Sequence, residues 1–222
     1  MSIDLLEVYR RLFAAYGHQH WWPGESPFEV LVGAVLVQNT AWKNVERAIE
    51  NLHEAGVLEP RKLYDLPLAE LETLIRPAGY FRVKSKRLRN LLRLIVERYD
   101  GSLEALFAVS PDELRAELLS VNGIGPETAD ALMLYVGGLP TFVVDAYAMR
   151  VAARHGWIDF EADYHAVKEF FEGGLPADAP LFNEYHALLV RVGKEHCGKT
   201  PQCQGCPLED LLPDGGPLSP EW

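Results

Sequence analysis

The chain has 222 residues, 48% hydrophobic and 24% charged, with a formal net charge of −11. That length can bury a full core, and the composition is that of a soluble globular protein, not a fibrous, disordered or membrane-embedded one. The acidic balance speaks against nucleic acid as a partner unless a local basic surface exists, because neutralising phosphate takes Lys and Arg.

The first residues, MSIDLLEVYRRLFAAYG, carry acids early and an amphipathic repeat. They read as a helix over 5–16 stopped by Gly17, not as a signal peptide. No apolar run approaches membrane-spanning length, so a cytoplasmic protein is expected. From His20 to Ile49 the sequence runs HWWPGESPFEVLVGAVLVQNTAWKNVERAI, with three of the five tryptophans. Residues 27–37 are apolar on every side, as expected of a helix at the centre of an all-α fold. The pattern breaks at Gln38-Asn39-Thr40 and resumes over 41–55. Helices are also predicted over 67–75 and 84–99. Residues 76–98 hold Arg76, Arg82, Lys84, Lys86, Arg87, Arg89, Arg93 and Arg98 against Glu97 alone. Such local density sets the field an anionic ligand meets. Leu88, Leu91, Leu92 and Ile95 at helical spacing also fit the buried side of an ordinary amphipathic helix with a solvated basic face.

Ser110-Pro111-Asp112-Glu113 is a helix start: a capping serine, proline at the first helical position and an acid three residues after the cap. LLSVNGIGPETADALML, 118–134, follows as two helices joined by a hairpin. Gly123 and Gly125 permit the tight turn and a close backbone approach, and N–H groups there could face an anion. By itself G-x-G also suits any helix–turn–helix connection. Helices are predicted over 126–135, 146–155, 164–172 and 182–195. The short apolar run Thr141-Phe142-Val143-Val144 is extended but needs no sheet. Asp145, between that run and the next helix, has the position of an N-cap.

VNGIGPETA followed by PTFVVDAYAMRV resembles the helix-hairpin-helix motif and essential aspartate of the endonuclease III superfamily of DNA glycosylases. The resemblance extends from LVGAVLVQNT through GYFRVKSKRL to HALLVRVGKEHC and the terminal cysteines. WWPGESPFEVLVGAVLVQNTAW is most similar to the branch of 3-methyladenine glycosylases called MagIII. The resemblance implies an all-α fold of two helical domains flanking a DNA-binding cleft. One domain would span 27–140 with the hairpin; the other would join 1–26 to 141–222. The partner would be double-stranded DNA with a damaged base, bound by a monomer. The target base would be flipped out, since the glycosidic bond of a stacked base is out of reach.

Roles follow residue by residue. Asp145 would be catalytic, its fixed charge stabilising an oxocarbenium-like sugar and orienting or deprotonating water. Gly123, Gly125, Lys84, Lys86 and Arg87 would contact DNA. Bifunctional members carry a lysine where this chain has Glu127, and a carboxylate cannot form a Schiff base. A monofunctional enzyme is therefore expected, although an acid in a first helical turn also simply suits the helix dipole. Such an enzyme works best on bases that leave easily, such as purines methylated at N3 or N7, whose positive charge indole faces attract. Trp21, Trp22, Pro23 and Trp42 fall at the base-stacking wall of the MagIII branch, or form an aromatic packing corner. Gln38 and Asn39 fall where side chains enter the gap left in the DNA. Two other functions remain: an endonuclease III-like glycosylase for oxidised pyrimidines, and a non-catalytic helix-hairpin-helix DNA-binding protein.

Cys197, Cys203 and Cys206 form C-x5-C-x2-C-P, a ligand-like spacing. It resembles the iron–sulfur loop of endonuclease III, whose fourth cysteine would fall at Leu212. A [4Fe–4S] cluster would need a non-cysteine fourth ligand, with His196, Asp210 or Asp214 as candidates. Zinc held by three cysteines and a histidine, or a metal-free remnant of the loop, are the alternatives.

Overall fold

The computed structural model describes residues 3–219. Among these the chain is helical, without a sheet; the only bridge pairs Cys197 with Pro201. No helix there is long and apolar enough to cross a membrane. The chain divides into two compact units, one of residues 22–139 and one joining 1–21 to 140–222.

The first unit is built around α2 (Pro27–Leu36), whose residues Phe28, Val30, Leu31, Val32, Ala34, Val35 and Leu36 are all buried. Ser26 caps it, its Oγ accepting from the Glu29 amide at 3.2 Å, and Pro27 opens the first turn. Around it lie α3 (Trp42–Glu54), α4 (Pro60–Asp65), α5 (Leu68–Leu74), α6 (Phe81–Tyr99), α7 (Leu103–Phe107), α8 (Pro111–Ser120) and α9 (Pro126–Ala131). Two short helices, α4 and α7, are additional to those expected, being too short for periodicity to register. α6 begins three residues earlier than the sequence suggested, with Tyr80 in the left-handed region at φ 46° just before it. Ser110 caps α8 through the Glu113 amide. α9 continues into a π turn over Leu132–Val136.

The second unit contains α1 (Leu5–Tyr16), α10 (Ala146–Arg154), α11 (Tyr164–Gly173) and α12 (Ala179–Glu195). The run Thr141–Val144 is buried here without becoming a strand. Phe142 stacks on Phe171 at 4.4 Å, and its amide donates to Glu172 Oε1 at 2.8 Å. α10 and α12 pack against each other, and α1 lies on α12. That packing brings the start of α10 to the middle of α12.

Candidate functional site

Asp145 caps α10. Its Oδ1 accepts from the amides of Tyr147 at 2.9 Å and Ala148 at 2.8 Å. The carboxylate is thereby fixed in orientation with Oδ2 left outside the cap. Oδ2 faces His186 Nε2 on α12 at 3.7 Å. His186 is 4% exposed; burial pulls its imidazole below the usual range, and the charge of Asp145 opposes that shift. Trp21 meets the same imidazole edge-on, with ring centroids 6.2 Å apart. The segment leading to Trp21 is tied to α12 by Glu184, which accepts from the Gln19 amide at 2.6 Å and lies 3.1 Å from His18 Nδ1. Neither His186 nor Glu184 stood out in the sequence, although both lie in the short stretch NEYHALL.

In the 22–139 unit, the hairpin and the break after α2 are tied together through Gln38. Its amide donates to Thr128 Oγ1 at 2.9 Å and to the Gly123 carbonyl at 3.4 Å, while Arg87 donates to its Oε1 at 2.5 Å. Gln38 is thus engaged within the protein. Asn39 is exposed, with φ 54°. Gly123 sits at φ +99°, and a Cβ there would lie 2.2 Å from Arg87 Cγ, so a larger residue would be strained and would displace the Arg87 side chain. Gly125 precedes α9 in extended conformation, and Glu127 is exposed in its first turn.

Lys84 corrects the reading of the basic segment. It is 1% exposed, and its ammonium donates to the carbonyls of Leu36 and Ala78 at 2.8 Å each. Burial, with a smaller push from Arg87, lowers its pKa to about 8. Lys84 therefore joins the end of α2 to the turn before α6 and does not contribute to an exposed basic face. Arg89 is likewise committed, to the carbonyls of Tyr64 and Leu66, and Arg98 to Glu117. Of this segment's cations Arg76, Arg82, Lys86, Arg93 and Arg98 are exposed, Arg93 lying 3.9 Å from Glu97, and Arg87 is half-buried. Arg76 and Arg82 lie over the Phe81 ring at 5.8 and 5.2 Å. Beside them Tyr80 is 72% exposed on its left-handed backbone. A large aromatic held out among arginines suits stacking on a nucleobase, and nothing in its sequence pattern singled it out.

Trp22 and Trp42 pack as a T-shaped pair with centroids 5.2 Å apart, and Trp22 also meets Tyr135 at 5.1 Å. Both indoles lie against Gly33, where a Cβ would come within 3.3 Å of Trp42 and 3.4 Å of Trp22. On its other side Trp42 lines an open recess with Pro23, Glu25, Glu29, Glu46 and Glu50. Trp21 belongs to the other unit, beside His186.

The three cysteines line one small recess, together with Arg154, His196, Glu209 and Leu212. Arg154 donates to Cys197 Sγ at 3.2 Å and to the carbonyls of Gly198 and Lys199 at 2.7 and 3.0 Å, so the loop is bound to α10 by side chains. Burial raises the thiols of Cys203 and Cys206. His196 Nδ1 is engaged with the Gln202 carbonyl at 3.0 Å, and Asp210 and Asp214 are exposed. Among the described residues no three His, Cys, Asp or Glu side chains stand at ligating separation. The donor chemistry suits three positions of a four-iron cluster or of a zinc site, and apolar Leu212 lines the recess where a fourth thiolate would be needed.

Residues 32–177 match the family described as HhH-GPD superfamily base excision DNA repair protein. A protein of Methanocaldococcus jannaschii, provisionally named a DNA repair glycosylase, is 47% identical over 93% of this chain and 94% of its own length. Endonuclease III of Thermotoga maritima is 32% identical over 83% of this chain and 81% of its own. Among solved structures, the H. pylori 3-methyladenine DNA glycosylase MagIII bound to 1,N6-ethenoadenine superposes with a TM-score of 0.76, at 29% identity. The match covers 87% of this chain and 98% of that one. A non-covalent endonuclease III–DNA complex superposes with a TM-score of 0.82 at 25% identity, over 97% and 96% of the two chains.

Proposed function

The chain belongs to the HhH-GPD superfamily of base excision DNA repair proteins, and from that premise we propose a monofunctional glycosylase that removes alkylated purines from double-stranded DNA. A DNA glycosylase of the endonuclease III type follows from membership; the substrate and the course of the reaction are the proposal. The observation that carries it is the capped, oriented carboxylate of Asp145, in a chain whose hairpin has an acid at position 127.

Asp145 stabilises the cationic sugar as the glycosidic bond lengthens and directs water to C1′. Glu127 offers no nucleophilic amine, so no Schiff base forms. Tyr80, Asn39, Arg82, Lys86 and Arg87 hold the DNA, with Gln38 and Gly123 keeping the hairpin against α6. An alkylated purine carries positive charge. The indole of Trp42 and the carboxylates beside it favour a cation over a neutral base. The likeness to the MagIII structure supports the same class of substrate.

Base release should be measured on duplexes methylated with dimethyl sulfate and on duplexes carrying thymine glycol or uracil. The expected result is release of methylpurines, abasic strands that stay intact until alkali is added, and no adduct trapped by borohydride. Faster release of a neutral base would overturn the substrate class, and a trapped adduct would overturn the monofunctional mechanism.

The three cysteines are proposed to hold a structural [4Fe–4S] cluster completed by a non-cysteine ligand. When bound, the group supplies rigidity to the loop; Arg150 and Arg154 already hold that loop on α10. Purified protein should be yellow-brown, with about four irons per chain as such a cluster requires. Colourless protein with one equivalent of zinc would replace the cluster by a zinc site, and metal-free protein would remove both.

A further inference from the structure

Asn39 and Tyr80, both exposed and both in the 22–139 unit, stand in the left-handed region at φ 54° and 46°. Asparagine tolerates that backbone, but a tyrosine there is uncommon and persists only where its surroundings over-determine it. Each of the two breaks leaves a carbonyl behind. In a continuing α2 the Thr40 amide would reach Leu36; it turns to the Val37 carbonyl instead, at 3.1 Å. α6 restarts on the Tyr80 carbonyl, which accepts from the amides of Val83 at 2.9 Å and Lys84 at 3.0 Å, so Ala78 lies outside its ladder. A buried carbonyl without a donor is costly.

One group answers both. The Lys84 ammonium, on a side chain 1% exposed, donates to Leu36 and to Ala78 at 2.8 Å each. Leu36 shortly precedes Asn39, and Ala78 shortly precedes Tyr80. We propose that Lys84 is a positioning residue for DNA: its single ammonium locks the two left-handed turns to each other and presents Asn39 and Tyr80 to the duplex as one preorganised pair. This rests on the reading above in which both side chains touch DNA, and it gives a role to a lysine too deeply buried to touch DNA itself.

An ammonium suits the task because it carries three hydrogens on one atom, so acceptors from two separate segments meet at a fixed spacing. Burial strengthens both bonds and makes their exchange for water unfavourable. Without that donor, the amides nearest each carbonyl are those a continuing helix would offer. Both turns then relax toward right-handed backbone, and the two exposed side chains leave their places. Gln38 gives the Asn39 turn a further anchor through Arg87 and Thr128, so the larger effect falls on Tyr80.

The test is a set of double-mutant cycles in the full-length chain, read as the Kd for a duplex carrying an abasic analogue, with melting temperature alongside. Tyr80→Gly and Asn39→Gly remove the side chains and permit the same backbone. Lys84→Met keeps an unbranched stem and removes the donors. In the wild-type background Tyr80→Gly should weaken binding at least about fivefold, the lower end of stacking on one base. In the Lys84→Met background the same change should cost less than about twofold, because the contact is already lost. The Asn39→Gly loss should shrink in the same direction. A lysine that only stabilised the fold would lower the melting temperature and leave the Tyr80 loss in full, so equal Tyr80 losses in the two backgrounds would overturn the proposal. Lys84→Gln, too short to serve both carbonyls, carries the same comparison where Lys84→Met does not fold, and there too an undiminished Tyr80 loss overturns it. Tyr80→Gly and Asn39→Gly both without effect on wild-type binding would overturn the DNA contact and the role of Lys84 with it. Absence of base release by wild type on every duplex would overturn the glycosylase reading and leave these cycles standing.

Discussion

Asp145→Asn should lower the single-turnover rate of base release by roughly a thousandfold or more, with DNA affinity and melting temperature nearly unchanged. The amide retains an oxygen that can accept from Tyr147 and Ala148, and Asn caps a helix about as well as Asp. What disappears is the negative charge on the side facing His186, where Asn would present an NH₂ donor. Asp145→Ala removes the cap as well and should cost about 1 kcal/mol of stability in addition. The distinguishing measurement is rate and melting temperature in both variants. A well-folded Asp145→Asn protein that releases base at a near-normal rate would remove this carboxylate from the mechanism.

Trp42→Ala is expected to cost about 1–3 kcal/mol of base stacking, or roughly 5- to 150-fold in single-turnover rate. Part of that loss should be specific to charge, because the cation–π contribution of about 0.5–2 kcal/mol exists only for the alkylated base. The decline should therefore be larger for N3- or N7-methylpurine than for any neutral base the enzyme accepts. Trp42→Phe keeps a stacking face with a weaker quadrupole and should fall between the two. The indole also packs on Gly33 and Trp22, so melting temperature must accompany the kinetics. A folded Trp42→Ala enzyme with normal methylpurine release would leave the tryptophans as a packing corner and would withdraw the alkylpurine assignment.

Much of the fold was legible because its signals are local. The helical class, the centrality of α2 and the serine cap before α8 follow from spacing and from side chains acting within three residues of themselves. The cap at Asp145 is of the same kind, since its partners Tyr147 and Ala148 are two and three residues away. α4 and α7 escaped notice because five or six residues are too few to establish a period.

The site was less legible. Lys84 looked like one more cation on a basic face, and an amphipathic pattern cannot distinguish a lysine at the edge of a face from one turned beneath it. Its burial depends on a carbonyl at Leu36, 48 positions earlier. Gln38 looked free to enter DNA, yet Arg87, Gly123 and Thr128 converge on it from distant parts of the chain. Tyr80 carried no assignment from its sequence neighbours, and only the structure shows how far it stands out.

By itself, then, the sequence determined the helices, their caps, the glycine hairpin, the acid at position 127 and the cluster of three cysteines. These depend on residue type and short spacing, which the chain carries before it folds. The tertiary structure alone decided which cations remain exposed, which side chain Gln38 serves and that His186 faces Asp145 across 41 positions. Those outcomes depend on how helices pack, because burial and distances between remote side chains arise only when two surfaces close on each other.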